Sequence, residues 1–183
     1  DGIYNLPAGA LTTNNMISGG DGAYCFWDTN ESDILITSTY YNRYYLFING
    51  EYINYFNGNN GIFINPADYD FINNTIYANA VRFDGTAQNR LYRILNIDNN
   101  PTDGNVNLFT ESNVPYSTIK FLQESNEDVA LLIGTQSGFL YKVLYNNNTF
   151  NVNDIGSDDF PVGNISSISI GNTSGSNSCP KIL

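Results

Sequence analysis

The sequence predicts an all-β chain, a partial β-propeller of about three to four four-stranded antiparallel blades. Three observations predict it. Strand formers dominate, with 14 Tyr and 11 Phe among 183 residues alongside runs of Ile, Val and Thr, whereas the helix formers Ala, Lys, Glu and Met are scarce. About thirty Asn cluster with Gly between the apolar runs, where turns are expected. A strand-turn-strand phrase, clearest at 129–135, 136–138 and 139–143, recurs in looser form three more times. Its spacing of roughly 40 to 50 residues is the period at which each unit buries its apolar face against its neighbours.

Residues 1–22 form a turn-rich lead-in, with Leu11-Thr12-Thr13 the one strand-like stretch, ending in Gly19-Gly20-Asp21-Gly22. The first unit, 23–60, reads as strands at 23–28, 33–39, 43–48 and 51–56. They are divided by Thr29-Asn30-Glu31-Ser32, Tyr40-Tyr41-Asn42 and Asn49-Gly50. Asn-Gly between alternating aromatic strands is the strongest short-range hairpin signal. The second unit, 61–110, reads as strands at 61–66, 73–81, 90–97 and 106–109, with a turn over 99–104. The third, 111–156, reads as 117–122, 129–135, 139–145 and 150–152. Residues 157–183 hold the first strand of a further unit, 165–170, and then a Ser/Gly/Asn-rich end.

Seven basic residues against eighteen acidic ones give a net charge of -11. That field opposes phosphate binding, so nucleic acid and anionic membrane surfaces are not expected partners. No apolar run approaches the roughly 18 residues of a membrane span, so no membrane insertion is expected. The chain opens at Asp1 without a basic-then-apolar leader, the expectation for a mature or excised piece. Polar, weakly charged, Tyr- and Asn-rich composition suits an extracellular or cell-surface protein. Two cysteines make no disulfide framework. Cys25, inside Ala23-Tyr24-Cys25-Phe26-Trp27, reads as a buried free thiol; a bridge to Cys179 in the terminal stretch is the alternative.

With no His, Ser-His-Asp and Cys-His nucleophiles and imidazole-ligated metals are absent. Gly19-Gly20-Asp21-Gly22 lacks the Lys and the helix of a phosphate loop and reads as a turn. No cofactor is implied. Calcium is the metal that carboxylate and carbonyl oxygens would take, with Asp28 and Asp33 flanking one polar turn and Asp98 and Asp103 another. Neither turn has EF-hand spacing, and solvated turns are the ordinary reading. Asn-x-Ser/Thr occurs at Asn30, Asn73, Asn147, Asn164 and Asn172, much as chance supplies in such a composition. Tyr40, Tyr41, Tyr44 and Tyr45 are candidates for a protein- or carbohydrate-binding surface, although strand alternation turns half of such rings inward.

Three stretches carry a family resemblance. Gly19-Gly20-Asp21-Gly22 precedes an aromatic strand and an Asp; Asn65-Pro66 precedes Asn74-Thr75-Ile76-Tyr77; Ile133-Gly134-Thr135 leads to Gly138-Phe139-Leu140-Tyr141. Over residues 17–171 the chain resembles the β-propellers of the sortilin, xyloglucanase and BNR-repeat group, as carried by Bacteroidetes proteins exported through type IX secretion. The Asp-box turn common in that group is not intact; Phe47-Ile48-Asn49-Gly50 comes nearest and lacks the Trp. Related glycosidases place carboxylates on blade-top loops, and by that resemblance Asp21, Asp68 and Asp70 are candidate catalytic residues. Glycoside hydrolysis needs two carboxylates about 5 to 9.5 Å apart. All three Asp residues read first as turn formers.

Three units and a fraction leave apolar faces at both ends of a stack, which predicts a segment of a longer polypeptide or a chain covered by a protein partner. The expected function is a non-catalytic scaffold or binding module contacting protein or glycan. The alternative is part of a propeller glycoside hydrolase.

Overall fold

The structure, a computed structural model, describes residues 3–5, 15–28, 33–82, 84, 90–108, 115–123, 129–146, 149–156 and 163–170. Among these residues there are strands and no helix. Strands β1 (Ile3–Asn5) and β2 (Asn15–Ser18) pair antiparallel. The first four-stranded sheet comprises β3 (Cys25–Asp28), β4 (Ile34–Thr39), β5 (Arg43–Ile48) and β6 (Glu51–Asn57). The second comprises β7 (Ala67–Asp70), β8 (Thr75–Asn79), β9 (Arg90–Leu95) and β10 (Thr102–Asn107). The third comprises β11 (Tyr116–Gln123), β12 (Val129–Thr135), β13 (Leu140–Asn146) and β14 (Thr149–Asp154). Each is an antiparallel meander whose strands lie side by side in chain order.

Asparagine shapes the reversals. Asn49 and Gly50 both take positive φ, 51° and 78°, as a two-residue hairpin turn between twisted strands requires. Asn42, Asn59, Asn74, Asn96 and Asn100 also lie in the left-handed region, which Asn tolerates better than other side chains because its amide bonds locally. Tyr41 sits there too, at φ 55°, held by its N–H donating to the Phe63 carbonyl at 3.0 Å.

The three meanders stack through two shared cores. Ile34, Ile36, Tyr44, Leu46 and Phe56 of the first sheet meet Ala67, Tyr69, Ile76, Ala78, Tyr92 and Ile94 of the second. The opposite face of the second sheet, through Tyr77 and Leu91, meets Tyr116, Ile119, Phe121, Leu131, Ile133 and Val143 of the third. In β8, Ile76 and Ala78 thus serve one core and Tyr77 the other, as period-two alternation demands of a strand covered on both faces. Beyond the third sheet, Leu132 and Leu140 pack against Ile168.

The first and third units follow the expected strands closely, but the second does not. Residues 61–66, expected as a strand, form a turn. Asn65 accepts the Ile62 N–H at Oδ1 (2.9 Å) and donates through Nδ2 to the carbonyls of Asn60 and Ile62, so extension is delayed to Ala67. The expected turn over 99–104 ends early: the chain reverses over 96–101 and Asp103-Gly104 already belongs to β10. The expected strand at 165–170 does not form a ladder and bears only an isolated bridge at Ile170. It is anchored by the Ile165 N–H to the Thr135 carbonyl (3.2 Å) and by the Ser117 hydroxyl to the Ile165 carbonyl (2.7 Å). Gly134 makes room for it, since a Cβ there would lie 2.7 Å from Ile165 Cγ2.

Cys25 corrects another expectation. It is a free thiol in an exposed residue: Cys25 and Trp27 pair opposite Thr37 and Leu35, alternating along β3 with Phe26, which packs against the core. The expected strand at 11–13, the turn over 29–32, and Cys179, Asn30, Asn147 and Asn172 lie outside the described residues.

Candidate functional site

The first strand of each meander contributes to one open cleft of about 430 Å³. Cys25, Phe26 and Trp27 come from β3, Asp68 and Tyr69 from β7, Phe71 from the turn that follows, and Lys120 and Phe121 from β11. Trp27 is 59% exposed and Phe71 45%. Phe71 stands edge-on to Phe121 with centroids 5.9 Å apart.

Asp68 is the polar centre of the cleft. One oxygen, Oδ2, accepts the Phe121 backbone N–H at 2.7 Å and lies 2.9 Å from Lys120 Nζ. The carboxylate points this way because Asp68 pairs with Tyr77, placing both on the face of the second sheet that meets the third. Its charge also acts on Tyr24, whose phenol is pushed up first by burial and then by Asp68. Tyr69, on the cleft wall, donates to Asp28 Oδ2 at 3.2 Å and to Asn74 Oδ1 at 2.7 Å. Burial, followed by the charge of Asp28, raises its pKa strongly. Partial desolvation pushes the Cys25 thiol up as well, leaving it protonated at neutral pH and a poor nucleophile.

The three candidate catalytic carboxylates are not gathered in this cleft. Asp68 lines it; Asp21 and Asp70 do not. Asp70 is fully buried and caps its own turn, accepting the Ile72 and Asn73 N–H groups at 3.0 Å each on Oδ1 and the Asn73 amide on Oδ2. Asp21 lies exposed in the lead-in to β3.

The four tyrosines divide as alternation requires. Tyr44 is 1% exposed and stacks on Tyr92 inside the first core, so it presents no binding surface. Tyr45 leans on Tyr55. Tyr40 and Tyr41 form a surface cluster with Phe63, which sequence reasoning had assigned to a strand: Tyr40 stacks on Phe63 at 5.7 Å and Tyr41 meets both rings edge-on. Arg43 lies 4.4 Å from the Tyr40 ring centre. Arg93 spans the second and third sheets to reach Tyr145 and Phe150, and Arg82 pairs with Asp84, so these three arginines serve separate places.

For calcium, Asp28 is buried beside Tyr69, and Asp103 accepts the Tyr92 hydroxyl at 2.7 Å. Asp33 and Asp98 are exposed. Among the described residues no three His, Cys, Asp or Glu side chains converge as a metal donor set. No helix among them is long and apolar enough to cross a membrane. No protein-family model matches this sequence, and no curated protein matches it.

Sequence reasoning missed Lys120, Trp27, Phe71 and Phe121. The signal available was positional: Trp27, Lys120 and Phe121, like Asp68, lie on the first strand of a repeat, and Phe71 directly follows one.

Proposed function

We propose that this chain is a non-catalytic binding or scaffolding portion of a β-propeller protein, exported to the cell surface or beyond, that contacts protein or glycan around the axis of its blades. The observation that carries this reading is the convergence of β3, β7 and β11 on one cleft. Meanders stacked through shared cores in chain order support a reading as successive propeller blades. The resemblance to the sortilin, xyloglucanase and BNR-repeat group points the same way.

The state of the carboxylates supports binding over hydrolysis. Glycoside hydrolysis requires two carboxyl groups facing each other across the substrate. Here Asp70 caps a turn, Asp28 and Asp103 accept tyrosine hydroxyls, and Asp68 is paired with Lys120. Assay against a panel of polysaccharides, repeated with Asp21→Asn and Asp68→Asn, tests the reading. No turnover is expected, and turnover abolished by either substitution would overturn it.

A further inference from the structure

We infer that the cleft between β3, β7 and β11 is a subsite for a neutral saccharide ring, bound without hydrolysis; this rests on the binding role proposed above. Three features select that ligand. Asp68 and Lys120, 2.9 Å apart, place an acceptor and a donor side by side, the pattern that adjacent hydroxyls of a pyranose satisfy. Asp68 Oδ1 makes no hydrogen bond among the described residues, and Lys120 Nζ has donors beyond the one used on Asp68. Trp27 and Phe71 supply exposed ring area for the apolar C–H face of a sugar.

Charge excludes the neighbouring classes. The ion pair leaves the polar centre of the cleft neutral, and the chain as a whole carries -11, so an acidic sugar or a phosphate is repelled. An extended peptide adding to the β11 edge would need its outward backbone donors. The Phe121 N–H is already taken by Asp68. Uncharged, hydroxyl-rich and flat on one face is the remaining description.

Trp27, the single tryptophan, reports on the cleft directly. The full chain is titrated with cellotetraose, laminaritetraose, mannotetraose and, as an anionic counterpart, tetragalacturonate, following tryptophan fluorescence and product formation. A saturable change is expected with at least one neutral tetrasaccharide, at a dissociation constant of about 1 mM or below, and none with tetragalacturonate. Asp68→Asn, which keeps an acceptor for the Phe121 N–H, and Phe71→Ala, at an exposed turn, are each expected to weaken it about tenfold or more. Unchanged melting temperatures confirm that both variants fold. No saturable change with any neutral sugar up to about 10 mM overturns the inference. Binding that neither substitution weakens also overturns the subsite while leaving a binding module elsewhere on the chain. Binding accompanied by cleavage of the sugar overturns instead the non-catalytic role.

Discussion

The side-chain oxygen of Asn79 accepts the backbone N–H of Tyr116 at 3.1 Å, across 37 residues of sequence. Asn79 ends β8 and Tyr116 begins β11, so this one bond fixes where the third meander starts against the second. The same amide is saturated on every side. Oδ1 also accepts the Val81 N–H, and Nδ2 donates to Asn65 Oδ1 at 2.8 Å and to the Val81 carbonyl at 3.1 Å. From Asn65 the chain of contacts passes to Asn60, whose side chain meets Asn42 and Asn105. Asn42 returns to the Asn79 carbonyl at 2.7 Å. Asparagines of the first two meanders and the loop between them thus lock the register of three sheets.

Asn79→Ala removes an acceptor and two donors from a residue with no solvent exposure. The buried Val81 and Tyr116 N–H groups would both lose their Asn79 acceptor, so a loss of about 3 kcal/mol or more is expected from urea unfolding. Asn79→Asp should do no better, since an aspartate cannot donate to Asn65 and carries an uncompensated buried charge.

Gly134→Ala tests how the 163–170 segment is held. A methyl group there meets Thr118 Cγ2 and Ile165 Cγ2 at 2.7 Å, so the segment must shift outward from Leu132 and Leu140. Faster amide exchange confined to 163–170 and the end of β12 is expected, with a global loss of about 1 to 3 kcal/mol.

Alkaline stability follows from buried phenols. Tyr44, Tyr77, Tyr92 and Tyr116 all have pKa values raised above the ordinary phenol value of 10.0, burial being the largest cause in each. The unfolded chain therefore releases phenolic protons at a pH where the native one retains them. Stability from these groups is fully present below pH 10 and falls progressively above it. Spectrophotometric titration at 295 nm should show most tyrosinate appearing together with the loss of near-ultraviolet circular dichroism. Ionisation of all 14 tyrosines while the fold persists would contradict the burial.

Much of this architecture is legible in residue order. Asn49-Gly50 marks its hairpin because only residues tolerant of positive φ complete that turn, and the run at 129–135 is a strand because both of its faces are covered. The start of the second meander was not legible. Ile62, Phe63 and Ile64 read as apolar extension, but the capping amide of Asn65 and its link to Asn79 make that stretch a turn. The asparagines themselves look like loop punctuation; that Asn42, Asn65 and Asn79 are buried depends on contacts between distant residues. For the cleft, the family resemblance pointed to Asp68 as one of three candidate acids, whereas its partner Lys120 comes from a strand more than fifty residues away, which no local pattern encodes.

The central claim is that the first strands of three successive meanders face one another. Cys25, free and exposed on β3, accepts a nitroxide spin label once Cys179 is replaced by Ser. Paramagnetic broadening of backbone amide signals is then the most direct measurement. The predicted result is strong broadening at Asp68 and Tyr69 of β7 and at Lys120 and Phe121 of β11, fading across each sheet toward β10 and β14. Unaffected signals at Lys120 and Phe121, or broadening of β14 equal to that of β11, would contradict it.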